Sequence, residues 1–283
     1  MKKLLIALVL IGLFHGFCLA VIPLQKSPFW RSTETGVYST GATWGDVDKN
    51  GYLDFAISNG NDMAMAPNYA YFNTGGILQT THGWVSSNAQ YSGHNALGDI
   101  NKDGYLDFVV SNYIASSWGK TTIQIYMNHN GALETTPSWE SADSMHSFSC
   151  ALGDADGDGY LDLAVACGES YNSIREPQRI YFNHHGVLET TPSWTSLDST
   201  PCYDVKWVDV DNDGDLDLSF ISSVGPVFIY YNRGGSIERT ASWNSGGYYD
   251  GNTLDWGDMD GDGFLDLAVA NNNQLGQPGY FQV

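Results

Sequence analysis

Five nine-residue segments place an oxygen-bearing side chain at positions 1, 3, 5 and 9 and glycine at position 6. They are 46–54 (DVDKNGYLD), 99–107 (DINKDGYLD), 154–162 (DADGDGYLD), 209–217 (DVDNDGDLD) and 258–266 (DMDGDGFLD). The side-chain sets are Asp46, Asp48, Asn50 and Asp54, then Asp99, Asn101, Asp103 and Asp107. In the last three segments all four are aspartate: Asp154, Asp156, Asp158 and Asp162; Asp209, Asp211, Asp213 and Asp217; Asp258, Asp260, Asp262 and Asp266. A tight turn with alternate residues pointing inward suits a hard cation that takes oxygen ligands. The glycine lets the chain reverse, and the backbone carbonyl of position 7 can add a ligand. Tyr52, Tyr105, Tyr160, Asp215 and Phe264 stand there.

Charge supports a cation. The ligand positions hold 18 of the 32 acidic residues. Crowding three or four carboxylates into nine residues is strongly repulsive without a counter-ion. Oxygen-only donors disfavour zinc and copper, and Mg²⁺ demands a stiffer octahedron than such loops offer. Calcium, about five ions, is the expected cofactor. An EF-hand fails on spacing, because its last ligand is Glu at 12 whereas these loops end in Asp at 9. One copy alone would read equally well as an Asp/Gly-rich hairpin turn; five in register do not.

The elements that must position these loops repeat with them. Successive loops start 53, 55, 55 and 49 residues apart. Two more signatures share the period: a tryptophan (Trp30, Trp84, Trp139, Trp194, Trp243) and an aromatic pair usually closed by Asn, as in Tyr181-Phe182-Asn183. Each unit reads as four short strands, for example 95–98, 106–111, 122–128 and 132–139, with no sustained helical period. Units of about 50 residues with four strands mark a β-propeller. Before each loop stands a large apolar residue (Trp44, Leu97, Leu152, Trp207, Trp256), followed by glycine except at Val208. The fold expected is an all-β propeller of five four-stranded blades. Residues 27–30 would supply a fourth strand and 279–283 a third strand, so that pairing of the N- and C-terminal strands closes the ring. A piece of a longer propeller is the alternative.

The pattern D-x-[DN]-x-[DN]-G-[YF]-L-D-[LF]-[AV]-[VI] resembles the FG-GAP/VCBS repeat of integrin α-subunit propellers and many secreted bacterial proteins. The resemblance covers nearly all of 27–283. It implies Ca²⁺ in the loop between strands 1 and 2 and ligand binding on the opposite propeller face. The chain departs from integrin propellers in its blade count, and Asp215 replaces the aromatic of the other loops, leaving its packing open.

Residues 1–20 read as a secretory signal peptide: Lys2 and Lys3, an apolar run 4–14, and Cys18-Leu19-Ala20 before the cleavage site. The propeller then occupies 21–283. Phe17 is too bulky to precede a lipoprotein cysteine. With 32 acidic against 12 basic residues, a basic nucleic-acid footprint is excluded. Aromatics at 13% argue against a disordered acidic tail. Cleavage leaves Cys150, Cys167 and Cys202, too few for a disulfide scaffold. A Cys150–Cys167 bond and free buried thiols are both open.

Away from the calcium loops, the longest and most varied connections carry Tyr91, His94, Tyr113, Trp118, Tyr171, Tyr248 and Tyr249. Aromatics among Asn, Ser and Gly suit recognition of carbohydrate or protein. The expectation is a secreted or cell-surface calcium-binding propeller that serves as a binding or adhesion module, with structural Ca²⁺ and no catalytic residues. Two alternatives stand beside it: a five-bladed carbohydrate-active enzyme and a plain cell-surface spacer. Asp62, Asp143, Glu169, Glu176, Asp198, Asp204, Asp250 and Asp255 are scattered acids in no catalytic motif. Glu134, Glu189 and Glu238 share one repeat position and read as structural. The seven histidines form no ligand cluster.

Overall fold

The computed structural model describes residues 27–61, 64–114, 119–247, 251–271 and 281–282. The signal-peptide segment, Trp118, Tyr248, Tyr249, Asp62 and Asp250 therefore lie outside the described residues. No helix among the described residues is long and apolar enough to cross a membrane.

Four repeats form four-stranded antiparallel sheets, each a propeller blade. The first comprises Ser39–Gly45, Asp54–Asn61, Tyr69–Tyr71 and Trp84–Val85, with Ala64–Met65 added at its second strand. The second comprises Ser92–Gly98, Asp107–Asn112, Gln124–Tyr126 and Trp139–Glu140. The third comprises Ser147–Gly153, Asp162–Cys167, Pro177–Tyr181 and Trp194–Ser199. The fourth comprises Cys202–Val208, Asp217–Ser222, Val227–Tyr230 and Trp243–Asn244. The expected fourth strand splits. In the second blade, Asn128–His129 and Ala132–Leu133 make a separate small hairpin, and the outer strand begins only at the tryptophan. Glycine and Asn at the hairpin tip adopt positive φ, which bends the chain before the strand can continue.

The fifth repeat departs from the five-blade expectation. Its sheet has three strands, Gly251–Gly257, Asp266–Asn271 and Phe281–Gln282. The four complete blades set the third-strand tyrosine opposite the residue after position 9, as in Leu163↔Tyr181 and Phe108↔Tyr126. Here Phe281, the residue one place after that tyrosine position, faces Ala270, four residues beyond position 9, a shifted register. No outer strand pairs with this edge among the described residues, and an edge held from one side only has weakly specified register. The predicted strand at 27–30 does not form, and closure by terminal pairing is not part of the described structure.

The core lies in the seams between sheets. Strand 2 of the second, third and fourth blades is buried on both faces, so its residues alternate between two seams. Phe108 and Val110 join the cluster with Val47, Ala56 and Ala70 of the first repeat. Val109, between them, joins Leu163, Val165 and Tyr181 of the third blade. Ala164 and Ala166 then face Val205, Leu218 and Phe220 of the fourth.

The periodic residues pin these seams. The indole N–H of Trp84, Trp139 and Trp194 donates to a carbonyl of the next blade, at Glu134 (3.0 Å), Leu188 (3.3 Å) and Ile237 (3.1 Å). Three residues beyond those tryptophans, backbone N–H groups of Ser87, Ala142 and Leu197 donate to the next blade at Thr135, Thr190 and Arg239. Thr33 makes the same bond to Thr80 of the first blade. A Cβ on Gly45, Gly98 or Gly153 would come within 3 Å of Leu97, Leu152 or Trp207 in the next blade, which explains glycine there. Val208 is buried at the equivalent place, and nothing in the structure explains the branched side chain.

Candidate metal centres

The five acidic loops share one hydrogen-bond lattice. The position-6 glycine N–H donates to a position-1 carboxylate oxygen in all five: Gly51 to Asp46, Gly104 to Asp99, Gly159 to Asp154, Gly214 to Asp209 and Gly263 to Asp258, at 2.8–3.0 Å. The position-7 N–H donates to position 5: Tyr52 to Asn50, Tyr105 to Asp103, Tyr160 to Asp158, Asp215 to Asp213 and Phe264 to Asp262, at 2.8–3.0 Å. The position-2 N–H donates to Oδ2 of position 9, as from Ala155 to Asp162 at 2.8 Å. Glycine at 6 has φ of 88–96° in every loop. Position 4 is also left-handed, at Lys49, Lys102, Asn212, Gly157 and Gly261 (φ 58–79°). The sequence signalled the first of these requirements and not the second.

Position 9 is the buried anchor. Asp54, Asp107, Asp162 and Asp217 are fully buried. Their Oδ1 accepts the N–H of the asparagine that closes the aromatic pair: Asn73, Asn128, Asn183 and Asn232, each at 2.8 Å. The amide of that asparagine reaches back to the preceding blade. Asn128, Asn183 and Asn232 donate to the position-2 carbonyls of Val47 (2.9 Å), Ile100 (2.9 Å) and Ala155 (2.6 Å). Each of these three loops is therefore clamped by its neighbour. The fifth repeat has Gln282 in place of Asn, and Asp258, Asp260 and Asp262 are all exposed.

The donor set fits a hard cation. One oxygen each from Asp46, Asp48 and Asp54 lies within 4.8 Å of the others, as do those of Asp154, Asp156 and Asp162, of Asp209, Asp211 and Asp217, and of Asp258, Asp260 and Asp262. The second loop has an amide, Asn101, at position 3, where the other loops have aspartate. Oδ1 of Asp99 and Oδ1 of Asp154 are buried without a hydrogen-bond partner. An anionic oxygen left so is costly unless a cation meets it.

Burial, with the neighbouring carboxylates adding to it, pushes Asp107 and Asp162 up to about 6 against the pull of their backbone N–H donors. Asp54 and Asp217 move the same way. The sign for the metal-free protein follows. Its folded form holds protons that the unfolded chain releases near the usual carboxylate range. Stability therefore falls as pH rises through about 4 to 6, by up to about 1.4 kcal/mol per pH unit per group. Other groups act oppositely at lower pH. Against the upward push of burial, hydrogen bonds with His82 and Tyr71 hold Glu34 at about 2, and its contribution is lost only as pH falls below the ordinary carboxylate range. The expected result is that chelated protein melts lower at pH 7 than at pH 5. Added Ca²⁺ raises the pH 7 value most, because cation binding displaces those protons. Melting curves with and without chelator at the two pH values check it.

Of the predicted recognition residues, His94, Tyr113 and Tyr171 meet around Phe148 and Glu169. Among those described, Tyr171 is 48% exposed. Tyr113 is buried, packs edge-on against Phe148 and bonds to Glu169. Tyr91 is half-buried, and its carbonyl accepts the Tyr113 N–H. His94 lines a cavity along the inner strands. It occupies the inner-strand position five residues before the loop, and Ser149, Asp204 and Thr253 hold the same position in later repeats. Ser149 donates to Asp204 at 2.7 Å, Thr253 donates to it at 2.6 Å, and His94 Nδ1 lies 3.2 Å from Ser149 Oγ. Burial pushes Asp204 up, but its hydrogen bond with His94 and the His94 charge outweigh this and hold it below the usual range. Composition gave no sign of this collar, because its members differ from repeat to repeat. A cavity of about 470 Å³ lies along these strands, lined also by Lys206.

The remaining acids are held by partners. Asp143 meets Arg179 at 2.9 Å, Glu176 meets Lys120 at 2.5 Å, and Asp198 accepts the Ala241 N–H at 3.0 Å. Glu134 and Glu189 pair with His129 and His184 at 2.9 and 3.2 Å. Cys150, Cys167 and Cys202 are free, buried thiols. Cys150 faces Val165 and Cys167 faces Ser147 across the sheet, which leaves no register for a bond between them. Burial pushes Cys150 and Cys167 up to about 12, far from thiolate chemistry.

A family model described as FG-GAP-like repeat matches residues 46–110, 112–165 and 209–269. No curated protein matches the chain. Among solved structures, the rhamnogalacturonan lyase PL11 of Bacillus licheniformis is similar, with TM-score 0.51 and 14% identity over 92% of this chain and 52% of that one. The V. cholerae biofilm matrix protein Bap1 is similar with TM-score 0.50 and 16% identity, over 85% of this chain and 37% of that one. The chain thus spans about half the length of the first and less of the second. At these identities the likeness concerns the fold.

Proposed function

Because the chain belongs to the FG-GAP-like repeat family, we propose that it is an extracellular calcium-stapled β-propeller that binds carbohydrate or protein on the face opposite its acidic loops. The observation that carries the calcium half is the pair of buried, unpartnered position-1 oxygens of Asp99 and Asp154 within loops of otherwise complete donors. The ions are structural: every donor comes from the turn, and the loops sit at the blade seams.

For recognition, the support is an aromatic group at the end of the inner strands away from the loops. Phe148 packs against His94, Tyr113 and Tyr203 with centroids 4.9–5.1 Å apart, and Tyr171 is exposed nearby in sequence to Ser170, which bonds the Tyr203 hydroxyl. Aromatic faces beside polar groups suit sugar rings and protein side chains alike. The test is a glycan array followed by titration of the best hit. Tyr171→Ala is expected to weaken binding at least about tenfold, a loss of roughly 1.4 kcal/mol, with an unchanged melting temperature. Equal affinity in both proteins would remove Tyr171 from the site.

An enzymatic reading has one supporting observation, the cavity that brings His94 and Lys206 to one space. It echoes a neighbour that is a lyase. Product formation from a panel of acidic polysaccharides, abolished by His94→Ala, would favour it over a binding module.

A further inference from the structure

The fourth loop differs from the rest in what meets its carboxylates. In the other four loops the position-5 N–H donates to the position-3 side chain: Asn50 to Asp48 (3.2 Å), Asp103 to Asn101 (2.9 Å), Asp158 to Asp156 (3.1 Å) and Asp262 to Asp260 (3.1 Å). In the fourth, the Asp213 N–H donates to Asp209 alone, at 3.1 Å, whereas the N–H groups of Asn50 and Asp262 reach position 1 in addition to position 3, at 2.9 and 3.1 Å. Asp211 instead accepts the guanidinium of Arg233, whose Nη1 lies 2.6 Å from Asp211 Oδ2 and 3.2 Å from Asp213 Oδ2. Both Asp213 oxygens are then engaged, since Oδ1 accepts the Asp215 N–H at 3.0 Å.

Arg233 follows the clamping asparagine Asn232. The same place holds Thr74, His129 and His184 in the earlier blades, and both histidines pair with glutamates of their own hairpins. Among the described residues, Arg233 is the one basic side chain that ion-pairs with the carboxylates of an acidic loop. The anomalous Asp215 belongs to the same arrangement: its Oδ2 accepts the Gly234 N–H at 2.6 Å, which fixes the turn that carries Arg233. Nothing is lost by replacing the aromatic there. Tyr105 and Tyr160 are covered by Lys49 and Lys102 of the preceding loop, at 4.7 and 4.0 Å, whereas the loop preceding Asp215 offers Gly157.

We propose that Arg233 is a resident cation of the fourth loop, which therefore takes Ca²⁺ last and most weakly, by displacing the guanidinium from Asp211 and Asp213. The inference rests on the reading that the loops bind Ca²⁺. It divides them into two classes: loops whose donors wait on a metal, and one loop whose charge is already partly balanced. The fourth blade keeps an electrostatic tie between its own hairpin and its acidic loop when calcium is scarce.

The test is Ca²⁺ binding to the full chain by equilibrium dialysis and calorimetry, for wild type, Arg233→Gln and Arg233→Lys. Expected is a weakest class of sites in wild type that tightens at least about tenfold in Arg233→Gln, with Arg233→Lys staying near wild type. In chelator, Arg233→Gln is expected to melt below wild type, because the resident cation is gone. Identical isotherms for wild type and Arg233→Gln would overturn the inference and leave the calcium reading intact. Tightening in Arg233→Lys equal to that in Arg233→Gln would also overturn it, since charge would then not be the cause. Failure of wild type and both variants to bind at millimolar Ca²⁺ would overturn the calcium reading itself.

Discussion

Asp162→Ala is expected to destabilise the protein by about 4 kcal/mol, in chelator as well as in calcium. The carboxylate is fully buried and accepts two backbone N–H groups, from Ala155 and from Asn183, each at 2.8 Å. Alanine leaves both donors buried without a partner, at about 1–3 kcal/mol each. It also frees Asn183, whose amide ties the Ile100 carbonyl of the preceding blade at 2.9 Å, so the seam between the second and third blades loosens with the loop. Asp158→Ala provides the contrast. Asp158 is exposed, and its Oδ1 accepts one N–H, from Tyr160 at 2.8 Å. Its loss is expected to cost no more than about 1 kcal/mol in chelator while lowering calcium affinity of that loop. Urea denaturation of both variants, with calcium and with chelator, separates the two roles of a ligand aspartate. Equal losses for the two in chelator would show that position 9 is no more than a metal ligand.

That distinction was only half legible in the sequence. The loop period, the ligand positions, the glycine at 6 and the blade order all came from residues that repeat, and repetition is what a sequence shows plainly. The tryptophan and the tyrosine–asparagine signatures were equally visible, yet their purpose was not. A period gives the place of a residue within its own unit, not that the Trp139 indole or the Asn183 amide serves a carbonyl about 50 or 80 residues away. Position 4 hid for another reason. Lysine carries no signal for a left-handed backbone, although Lys49 and Lys102 adopt it at φ 61° and 58°. The unrepeated features were the least legible. His94 joins Ser149 and Asp204 in a polar collar along the inner strands while also packing against Phe148. Arg233 and Asp215 acquire meaning only when the turn at 233–234 is seen against the fourth loop. The fifth sheet, three-stranded among the described residues, and its shifted register depend on tertiary pairing that no local pattern encodes.

Removal of calcium is expected to lower the melting temperature by roughly 10–20 °C at neutral pH. Extracellular sites bind Ca²⁺ at about 0.1–1 mM, and at ten times Kd each adds about 1.4 kcal/mol by linkage. Four such sites supply between 5 and 6 kcal/mol, a large share of the roughly 5–15 kcal/mol of an ordinary domain. About 2–4 °C per kcal/mol for a chain of this size converts that to the stated shift. The loss should not be uniform. Loops 2 and 3 hold the buried, unpartnered oxygens of Asp99 and Asp154, and the seam clamped through Ile100 and Asn183 lies between their blades. The fourth loop keeps Arg233 and should change least. Hydrogen exchange in chelator is therefore expected to rise first along 92–112 and 147–167 and last along 202–222. Mg²⁺ at equal concentration should restore only part of the melting temperature, because these turns lack the rigid octahedral geometry it requires. An unchanged melting temperature in excess chelator would mean that the blade seams hold without the ions, and that the carboxylates of these loops balance one another by protonation alone.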